Sequence, residues 1–351
     1  MDELINSIKN KDIYKYLNVA KNNRNIDDET FNTILPVLVS NMYEIGFNNI
    51  IKNYNDNLKS SKDDWESLKK KEINNNYISS TSTVGCSIVK RHMPHIYDVK
   101  NYKGKCISNQ WTEKNIKDVL EINRRTHSSP YISEIVRQIG FKSGTSKVTI
   151  YRPLLTKRIV EYYKAKNVLD VCVGWGGRML GSSCIPDVKY TGIEPFSKTY
   201  QGLINIKKDL ELNNVILHND TAENIIPTLK KEYDLSLTSP PYYNLEIYSE
   251  ESNQSHQYGS YEEWNNNFLK PVVYGVLSKL IKGGKSCWSI KNFKTDKKYN
   301  LYDDIVKLHE ECGWKKVDTE FYVGNCLRPG LKDSDGKSMK SKEITYVFME
   351  D

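Results

Sequence analysis

The sequence predicts an α/β fold in which a doubly wound, mostly parallel sheet occupies residues 151–351. From Tyr151 onward, short apolar runs alternate with longer segments of helical periodicity, the pattern of a parallel sheet with helices on both faces. Several of the apolar runs end in glycine, proline or acidic residues, and ligands in such folds bind at the carboxyl ends of the strands. The preceding 150 residues are polar and read as a mainly helical N-terminal region.

Each strand and helix of the sheet domain is predicted from the spacing of its apolar residues. Strands are short and rich in apolar residues, whereas helices repeat their apolar residues every three to four positions. The predicted strands cover residues 167–172, 188–194, 215–218, 234–238, 285–290, 316–323 and 344–349. The predicted helices cover residues 197–212, 222–231, 264–280 and 302–312. Two polar loops are also predicted, from Asn244 to about Tyr261 and from Gly324 to Lys342.

Charge divides the N-terminal half at residue 78. Residues 1–78 read as helical and carry 11 Lys/Arg against 12 Asp/Glu, whereas residues 79–150 carry 12 against 5. Nearly all of the chain's net charge of +7 therefore lies in the second segment, which suits a polyanionic partner. A helix is predicted from Ser133 to Ile139, ended by Gly140. The polar turn that follows raises the alternative of a helix-turn-helix.

Composition excludes several classes of protein. No apolar stretch approaches the roughly 18 residues that would predict a membrane span. The N-terminus lacks the charged and apolar segments of a secretory signal. The seven cysteines show no C-x2-C spacing, so no metal site is predicted and the thiols are expected to be reduced. We therefore expect an intracellular protein with no membrane partner.

The glycine loop Asp170–Gly177 follows the first predicted strand. Gly174 and Gly176 let the main chain turn tightly and approach a ligand, although their spacing is not that of the dinucleotide-binding fingerprint. Glu194 ends the second strand, where a carboxylate can accept two ribose hydroxyls. Asp220 follows the third strand, where a carboxylate can accept an adenine amino group. Three acidic residues at successive strand ends predict a nucleoside-binding edge.

The segment Thr238–Tyr242, with the sequence Thr-Ser-Pro-Pro-Tyr, follows the fourth strand. Its two prolines fix a rigid extended turn and so hold the Ser239 side chain and the Pro240 carbonyl relative to the sheet. Two such acceptors can bind both hydrogens of an exocyclic base amine, whose lone pair is otherwise delocalised into the ring. They help most as charge develops on nitrogen in the transition state. Tyr242 offers a face on which an extruded base can stack.

Over about residues 148–351 these motifs resemble the amino-methyltransferases that act on DNA. The resemblance implies a seven-stranded Rossmann-like methyltransferase sheet, S-adenosyl-L-methionine as cofactor, and N4-methylcytosine or N6-methyladenine as product. It implies catalytic roles for Ser239, Pro240, Pro241 and Tyr242. It implies cofactor-binding roles for Asp170, Cys172, Gly174, Gly176, Glu194, Pro195, Asp220, Thr221 and Thr238. The segment beginning at Tyr151 resembles the family's stretch that closes over the methionine end of the cofactor.

Ser239 at the first motif position favours cytosine N4, because family members with Asp or Asn there more often act on adenine. Adenine N6 methylation, methylation of an RNA base and a catalytically inactive nucleic-acid binder remain the alternatives. No cysteine follows a proline, which argues against the covalent mechanism of cytosine-C5 methyltransferases.

Target recognition is expected in the N-terminal half, since no long insertion separates the two motifs. This departs from the family's common arrangements, so recognition residues are not carried over from it. DNA, with RNA as the alternative, is the expected partner, and base flipping and a restriction-modification setting are implied. The basic region 79–150 is the candidate contact region, with Lys90, Arg91, Arg124, Arg125 and Lys142 as its candidate residues.

Overall fold

A computed structural model describes residues 2–19, 26–126, 128–145, 148–332 and 338–351. The helices of these residues are α1 (Asp2–Lys9), α2 (Ile13–Val19), α3 (Asp28–Ile45), α4 (Phe47–Asp56), α5 (Ser61–Lys70), α6 (Cys86–His92), α7 (Glu113–Arg125), α8 (Ile132–Ser143), α9 (Pro153–Tyr163), α10 (Gly177–Ser183), α11 (Ser197–Asp209), α12 (Ala222–Ile225), α13 (Tyr261–Trp264), α14 (Lys270–Lys279) and α15 (Leu301–Glu310). The strands are β1 (Tyr77–Ile78), β2 (Lys100–Asn101), β3 (Asn167–Asp170), β4 (Lys189–Ile193), β5 (Val215–His218), β6 (Tyr233–Thr238), β7 (Glu246–Ile247), β8 (Leu280–Ser289), β9 (Phe293–Lys294), β10 (Lys298–Tyr299), β11 (Trp314–Lys332) and β12 (Ser338–Glu350).

The chain forms two compact units, with divisions after residues 58, 93 and 148. The first unit contains residues 1–58 and 94–148, and the second contains residues 59–93 and 149–351. Residues 59–93 belong to the sheet unit, and their main chain is hydrogen-bonded to helix α9. The Lys157 ammonium, for example, donates to the Leu68, Lys69 and Lys71 carbonyls at the end of α5. The basic region 79–150 is therefore divided between the units.

The first unit is helical and has a core of its own. Its buried side chains come from α1–α4, α7 and α8 together with Ile107 and Trp111. Helix α3 has an N-terminal cap, because the Asp27 carboxylate accepts the Thr30 N–H at 2.7 Å. The Trp111 indole N–H donates to the Met42 carbonyl at 3.2 Å, so this large ring is buried without an unsatisfied donor.

The second unit contains an eight-stranded sheet in the order β1-β11-β12-β8-β6-β3-β4-β5. Seven strands run parallel and β12 runs antiparallel to both of its neighbours. Val168 and Leu169 on β3 are both fully buried. Because successive residues of a strand point to opposite faces, both faces of the sheet are covered. The predicted doubly wound, mostly parallel α/β fold is confirmed.

Several elements of the structure differ from the prediction. The sheet has eight strands rather than seven, because Tyr77 and Ile78 pair with the outer strand β11. Helix α8 passes through Gly140 and ends at Ser143, followed by Gly144 with a left-handed φ of 64°. The turn predicted after Ile139 is therefore wrong, and with it the helix-turn-helix alternative. A glycine inside a helix costs only about 1 kcal/mol, which the buried face of α8 offsets.

The loop predicted from Gly324 to Lys342 is also wrong over most of its length. Strand β11 continues to Lys332 and β12 begins at Ser338, with Cys326 opposite Ser341 and Leu327 opposite Lys340. Main-chain pairing can extend a polar hairpin beyond the covered part of a sheet, and apolar periodicity does not mark such a strand. Residues 333–337 lie outside the described residues. No helix in the described ranges is both long and apolar enough to cross a membrane.

Candidate active site

The glycine loop and the Ser-Pro-Pro-Tyr segment leave the sheet from adjacent strands. Strands β3 and β6 are parallel neighbours, with Val168 opposite Leu235 and Leu169 opposite Ser236. From β3 the chain proceeds outward to β4 and β5, then returns to β6 on the other side of β3. The carboxyl ends of β3 and β6 thus flank the point where the strand order reverses, which is where open α/β sheets bind ligands.

The glycine loop turns sharply between β3 and α10. Gly174 and Gly176 have φ angles of 55° and 79°, in the left-handed region that side chains disfavour. Gly177 has another constraint, because a Cβ atom there would lie 1.9 Å from the Tyr151 carbonyl oxygen. The segment before the sheet, which begins at Tyr151, therefore packs directly on the loop, and only glycine permits that approach.

Asp170 ends β3 and is fully buried. One carboxylate oxygen accepts the Arg178 Nε–H at 2.8 Å and the Tyr190 hydroxyl at 2.7 Å, and the other accepts the Cys172 N–H at 3.3 Å. Arg178 also donates to the Cys172 and Val173 carbonyls, and its guanidinium lies 5.3 Å from the Tyr151 ring centroid. Burial raises the pKa of the Tyr190 phenol well above its usual value. Both carboxylate oxygens of Asp170 are thus engaged within the protein, and their contacts hold the loop.

Glu194 follows β4 and bridges two segments of the site. One carboxylate oxygen accepts the Gly174 N–H at 2.8 Å and the other accepts the Phe196 N–H at 2.9 Å. An ionised carboxylate offers about four acceptor positions, so each oxygen retains capacity for a hydroxyl donor. Burial raises the pKa of Glu194 to about 7, and the two N–H donors oppose that rise. Glu194 can therefore change its charge near neutral pH.

Asp220 and Thr221 lie where β5 leads into α12. One Asp220 oxygen accepts the Thr221 N–H at 2.6 Å and the Asn224 side-chain amide at 3.0 Å. These contacts use one of its two oxygens, and the side chain is half-buried. Thr221 is the residue before the first turn of α12. Pro195 contributes its carbonyl oxygen, which accepts from the Asn219 and Asn253 amides.

Ser239 begins the segment after β6 and is fixed by the next strand. Its hydroxyl donates to the Ser289 carbonyl, the last residue of β8, at 3.1 Å. A serine hydroxyl has one hydrogen and two acceptor lone pairs, so this bond uses the hydrogen and leaves the oxygen as an acceptor. Thr238, the last residue of β6, is fully buried beside the Cys172 thiol, whose pKa burial raises. Pro240 is buried and Pro241 is half-buried.

Tyr242 is half-buried, and one face of its ring is already covered. The ring stacks on Phe293 with centroids 5.4 Å apart and planes 29° apart. Phe293 in turn stacks on Tyr299 at 4.9 Å, so Tyr242 is the outermost member of an aromatic stack. Burial raises the pKa of the Tyr242 phenol far above its usual value. Tyr243 has a φ of 47°, a strained conformation for a residue with a side chain and one that concentrates at functional sites.

The loop from Asn244 to Tyr261 folds back towards the carboxyl ends of β3 and β4. The Tyr248 ring lies 6.1 Å from the Trp175 ring of the glycine loop. The Glu251 carboxylate accepts from the Ser197 N–H and hydroxyl at the start of α11, and Asn253 donates to Pro195. The Tyr248 hydroxyl also donates to Glu246, whose pKa is raised by burial. The loop thus links the Ser-Pro-Pro-Tyr segment to the ends of β3 and β4.

The candidate nucleic-acid residues are split between the units and are mostly engaged. Lys90 and Arg91 belong to the sheet unit, where Arg91 donates to the Lys59 carbonyl at 3.3 Å. In the helical unit, Arg124 makes two bonds to Asp28, and Lys142 pairs with Asp118. Arg125 is exposed, and no ion pair engages it among the described residues. A phosphate contact at Arg124 or Lys142 would compete with an existing ion pair.

Several residues of the site escaped sequence reasoning. The sequence analysis assigned no role to Arg178, which lies eight residues after Asp170. Its positive charge could have indicated that it pairs with that buried carboxylate. Nothing in the sequence pointed to Tyr190, Ser289 or Phe293, because each reaches the site across the sheet or from a later strand. In the part of the chain that the structure describes, no group of three or more His, Cys, Asp or Glu side chains could hold a metal ion.

Comparisons with known proteins give likeness of fold only. No known family model matches the chain, and no curated protein sequence matches it significantly. TrmN from Thermus thermophilus aligns with 56% of this chain at 14% identity and a TM-score of 0.38, and the chain covers about half (48%) of TrmN. A precorrin-6y C5,15-methyltransferase from Geobacter metallireducens aligns with 59% at 12% identity and a TM-score of 0.39, with 92% of its own length covered.

A SAM-dependent methyltransferase from Agrobacterium tumefaciens aligns with 56% of the chain at 14% identity and a TM-score of 0.37, with 59% of its own length covered. Alignments this loose carry no argument about substrate or activity. The strand order and register of the sheet define the fold independently of them. The sheet unit therefore has a Rossmann-like, doubly wound fold in which β12, among the described strands of the sheet, is the one antiparallel strand.

Proposed function

We propose that this protein transfers a methyl group from S-adenosyl-L-methionine to an exocyclic amino group of a DNA base. The observation that carries the proposal is the state of Ser239. Its hydroxyl hydrogen is committed to the Ser289 carbonyl, which leaves an oxygen acceptor at the carboxyl end of β6, next to the glycine loop. That arrangement is what activation of an amine requires.

The residues present fit the proposed cofactor. Glu194 retains acceptor capacity on both oxygens for two ribose hydroxyls, and Asp220 has one oxygen beyond its internal contacts for an amino group. Gly174 and Gly176 allow close approach of the cofactor to the main chain. Asp170 is better suited to shaping the loop than to binding the cofactor, since both of its oxygens are engaged. S-adenosyl-L-methionine supplies the electrophilic methyl group when it is bound.

The chain's own contribution to the reaction is to orient and polarise the amine. Ser239 and the Pro240 carbonyl would accept the two amino hydrogens and hold the nitrogen lone pair towards the methyl donor. Acceptors that are fixed before the reaction lower the barrier most, because they need no reorganisation as charge develops. Phe293 supports one face of the Tyr242 ring, and the other face would stack on a base flipped out of the duplex.

Cytosine N4 is our first choice of target atom and adenine N6 the second. The choice rests on Ser239 standing where related enzymes that act on adenine more often have Asp or Asn. Contact with DNA is assigned to the basic residues of region 79–150, of which Arg125 is one exposed member.

The test is a methylation assay with labelled S-adenosyl-L-methionine on DNA and RNA of matched sequence, followed by nucleoside analysis. We expect N4-methylcytosine in the DNA product. Product found in RNA alone would transfer the proposal to RNA methylation. A chain that binds nucleic acid but not S-adenosyl-L-methionine in calorimetry would be a catalytically inactive binder, and the proposal would fail.

A further inference from the structure

A tight turn in the helical unit is held rigid by one buried side chain. Asn101 is 2% exposed, and its side-chain oxygen accepts the Lys103 and Lys105 N–H groups at 2.9 and 3.0 Å. Its amide donates to the Gly144 carbonyl at the end of α8 at 3.0 Å. The main chain closes the turn with bonds from Gly104 N to Asn101 O and from Asn101 N to Lys105 O, both 2.8 Å.

Every side chain at the tip of this turn faces outward. Tyr102, although a large ring, is 38% exposed, and Lys103 and Lys105 are exposed as well. The Lys103 ammonium lies 5.4 Å from the Tyr102 ring centroid. Across the described residues, neither lysine forms an ion pair with a carboxylate, in contrast to Arg124 and Lys142. The turn therefore presents two uncompensated charges on a fixed main chain.

The end of α8 next to the turn also exposes a ring beside a cation, although this cation, Arg137, is paired with Glu134. Phe141 is 60% exposed, the largest exposed fraction among the large apolar side chains described, and the Arg137 guanidinium lies 5.1 Å from its ring. Gly144, three residues later, is the acceptor that ties α8 to Asn101. We call the exposed side chains of Tyr102, Lys103, Lys105 and Phe141 the turn surface.

We propose that the turn surface binds the sugar-phosphate backbone of DNA. The choice of DNA rests on the proposed function, whereas the location rests on the geometry of the turn. Lysines that lack acidic partners can neutralise phosphates without first breaking an ion pair, and they release counterions on binding. Exposed rings beside cations can pack on sugars and bases. Because Asn101 already fixes the turn, little conformational freedom is lost on binding.

This assignment differs from what charge along the sequence indicates. The pattern of basic residues favours Arg124 and Lys142, which the fold pairs with Asp28 and Asp118. Lys103 and Lys105 are less conspicuous in the sequence, but their side chains are the available ones. The turn surface contains no exposed amide suited to reading base edges, so it would fix position rather than sequence.

The experiment measures binding of a short fluorescent duplex DNA to the full chain over a series of salt concentrations. The variant K103Q/K105Q removes two charges from the turn, and the matched control K9Q/K52Q removes two exposed charges from α1 and α4. We expect the slope of log affinity against log salt to fall by about 2 in K103Q/K105Q, at about 0.9 per lost phosphate contact. The control should keep the slope of the unmodified protein.

An unchanged slope in K103Q/K105Q would overturn the proposal. An equal fall of the slope in K103Q/K105Q and in K9Q/K52Q would also overturn the proposal, because the effect would then come from overall charge. Melting temperatures confirm that both variants fold. The proposal would also be contradicted if K103Q/K105Q lowered the salt slope for duplex RNA but not for duplex DNA. If no methyl transfer is found but the salt slopes of the variants are as expected, the proposed function is refuted. The proposed binding of DNA by the turn surface is then still supported.

Discussion

The carboxyl ends of β3 and β6 lie side by side, yet their polar groups are used in opposite ways. At the end of β3, both oxygens of Asp170 accept bonds from within the protein, and the carboxylate is fully buried. At the end of β6, Ser239 makes one bond through its hydrogen and keeps its oxygen as an acceptor. The carboxylate at the end of β3 is thus fully engaged within the protein, whereas the hydroxyl oxygen after β6 can still accept a hydrogen bond.

This difference separates residues that hold the conformation of the site from residues that we propose act in it. Asp170, Arg178 and Tyr190 form a buried network whose contribution is the conformation of the glycine loop. Ser239 and Tyr242 are half-buried and supported from behind by Ser289 and Phe293. Substitutions in the first group should therefore affect stability, and those in the second should affect methyl transfer.

The largest effect on stability is expected from Asp170→Asn. The variant leaves the buried Arg178 cation without its partner, which costs about 3–5 kcal/mol of unfolding free energy. Chemical denaturation measures this loss, and Asp220→Asn, at a half-buried position, is the matched control with an expected cost of about 1 kcal/mol or less. Equal stability losses in the two variants would remove the distinction between the strand ends.

Cofactor affinity is expected to depend on pH through Glu194. Burial raises its pKa to about 7, so the carboxylate is mostly protonated at pH 6 and mostly ionised at pH 8. The ionised form is the better acceptor for ribose hydroxyls, so affinity for S-adenosyl-L-methionine should rise with pH. If only the ionised form binds, the affinity at pH 6 falls about tenfold from its plateau.

Calorimetry at several pH values measures this dependence. Glu194→Gln should bind the cofactor more weakly at high pH and show a flat profile through neutral pH. A variant that keeps the pH dependence of the unmodified protein would assign the titration to another group.

A smaller effect is expected in the loop that joins the two strand ends. Asn253→Ala removes the bond from the loop to the Pro195 carbonyl, which contributes about 0.5–1.5 kcal/mol. Cofactor affinity should fall by at most about tenfold, with little change in melting temperature. Gln257→Ala is the control in the same loop, because the Gln257 amide contacts the Glu251 carbonyl at 3.5 Å and the His256 ring at 3.2 Å but not Pro195. This variant should leave affinity unchanged.

The strands β3–β6 and the positions of the two motifs were predictable because they depend on local patterns. Alternating apolar runs located β3–β6, and proline and glycine located the turns after them. The eighth strand was not predictable, since a two-residue strand such as Tyr77–Ile78 has no pattern of its own and forms only by pairing with β11. Helix α8 was cut short at Gly140 because glycine marks a helix end only when its φ is positive.

Site residues were predictable where their position after a strand identifies them. They were not predictable where they depend on a partner that is distant in the sequence. Glu194 and Ser239 were identified from their positions after strands. The engagement of Asp170 by Tyr190 and of Ser239 by Ser289 depends on contacts between strands, which no local pattern encodes. For the same reason, the sequence could not show that Arg124 is paired and that Lys103 is not.

Methyl transfer by Ser239→Ala tests the central claim most directly. The variant removes the oxygen acceptor but keeps the fold and the cofactor-binding edge, so affinity for S-adenosyl-L-methionine should stay within about twofold. Loss of one fixed hydrogen-bonding group at a reacting centre lowers kcat by about 10²–10³. We expect that fall in kcat on cytosine-containing DNA. A variant that keeps the kcat of the unmodified protein, or that loses cofactor binding in parallel, would contradict the account.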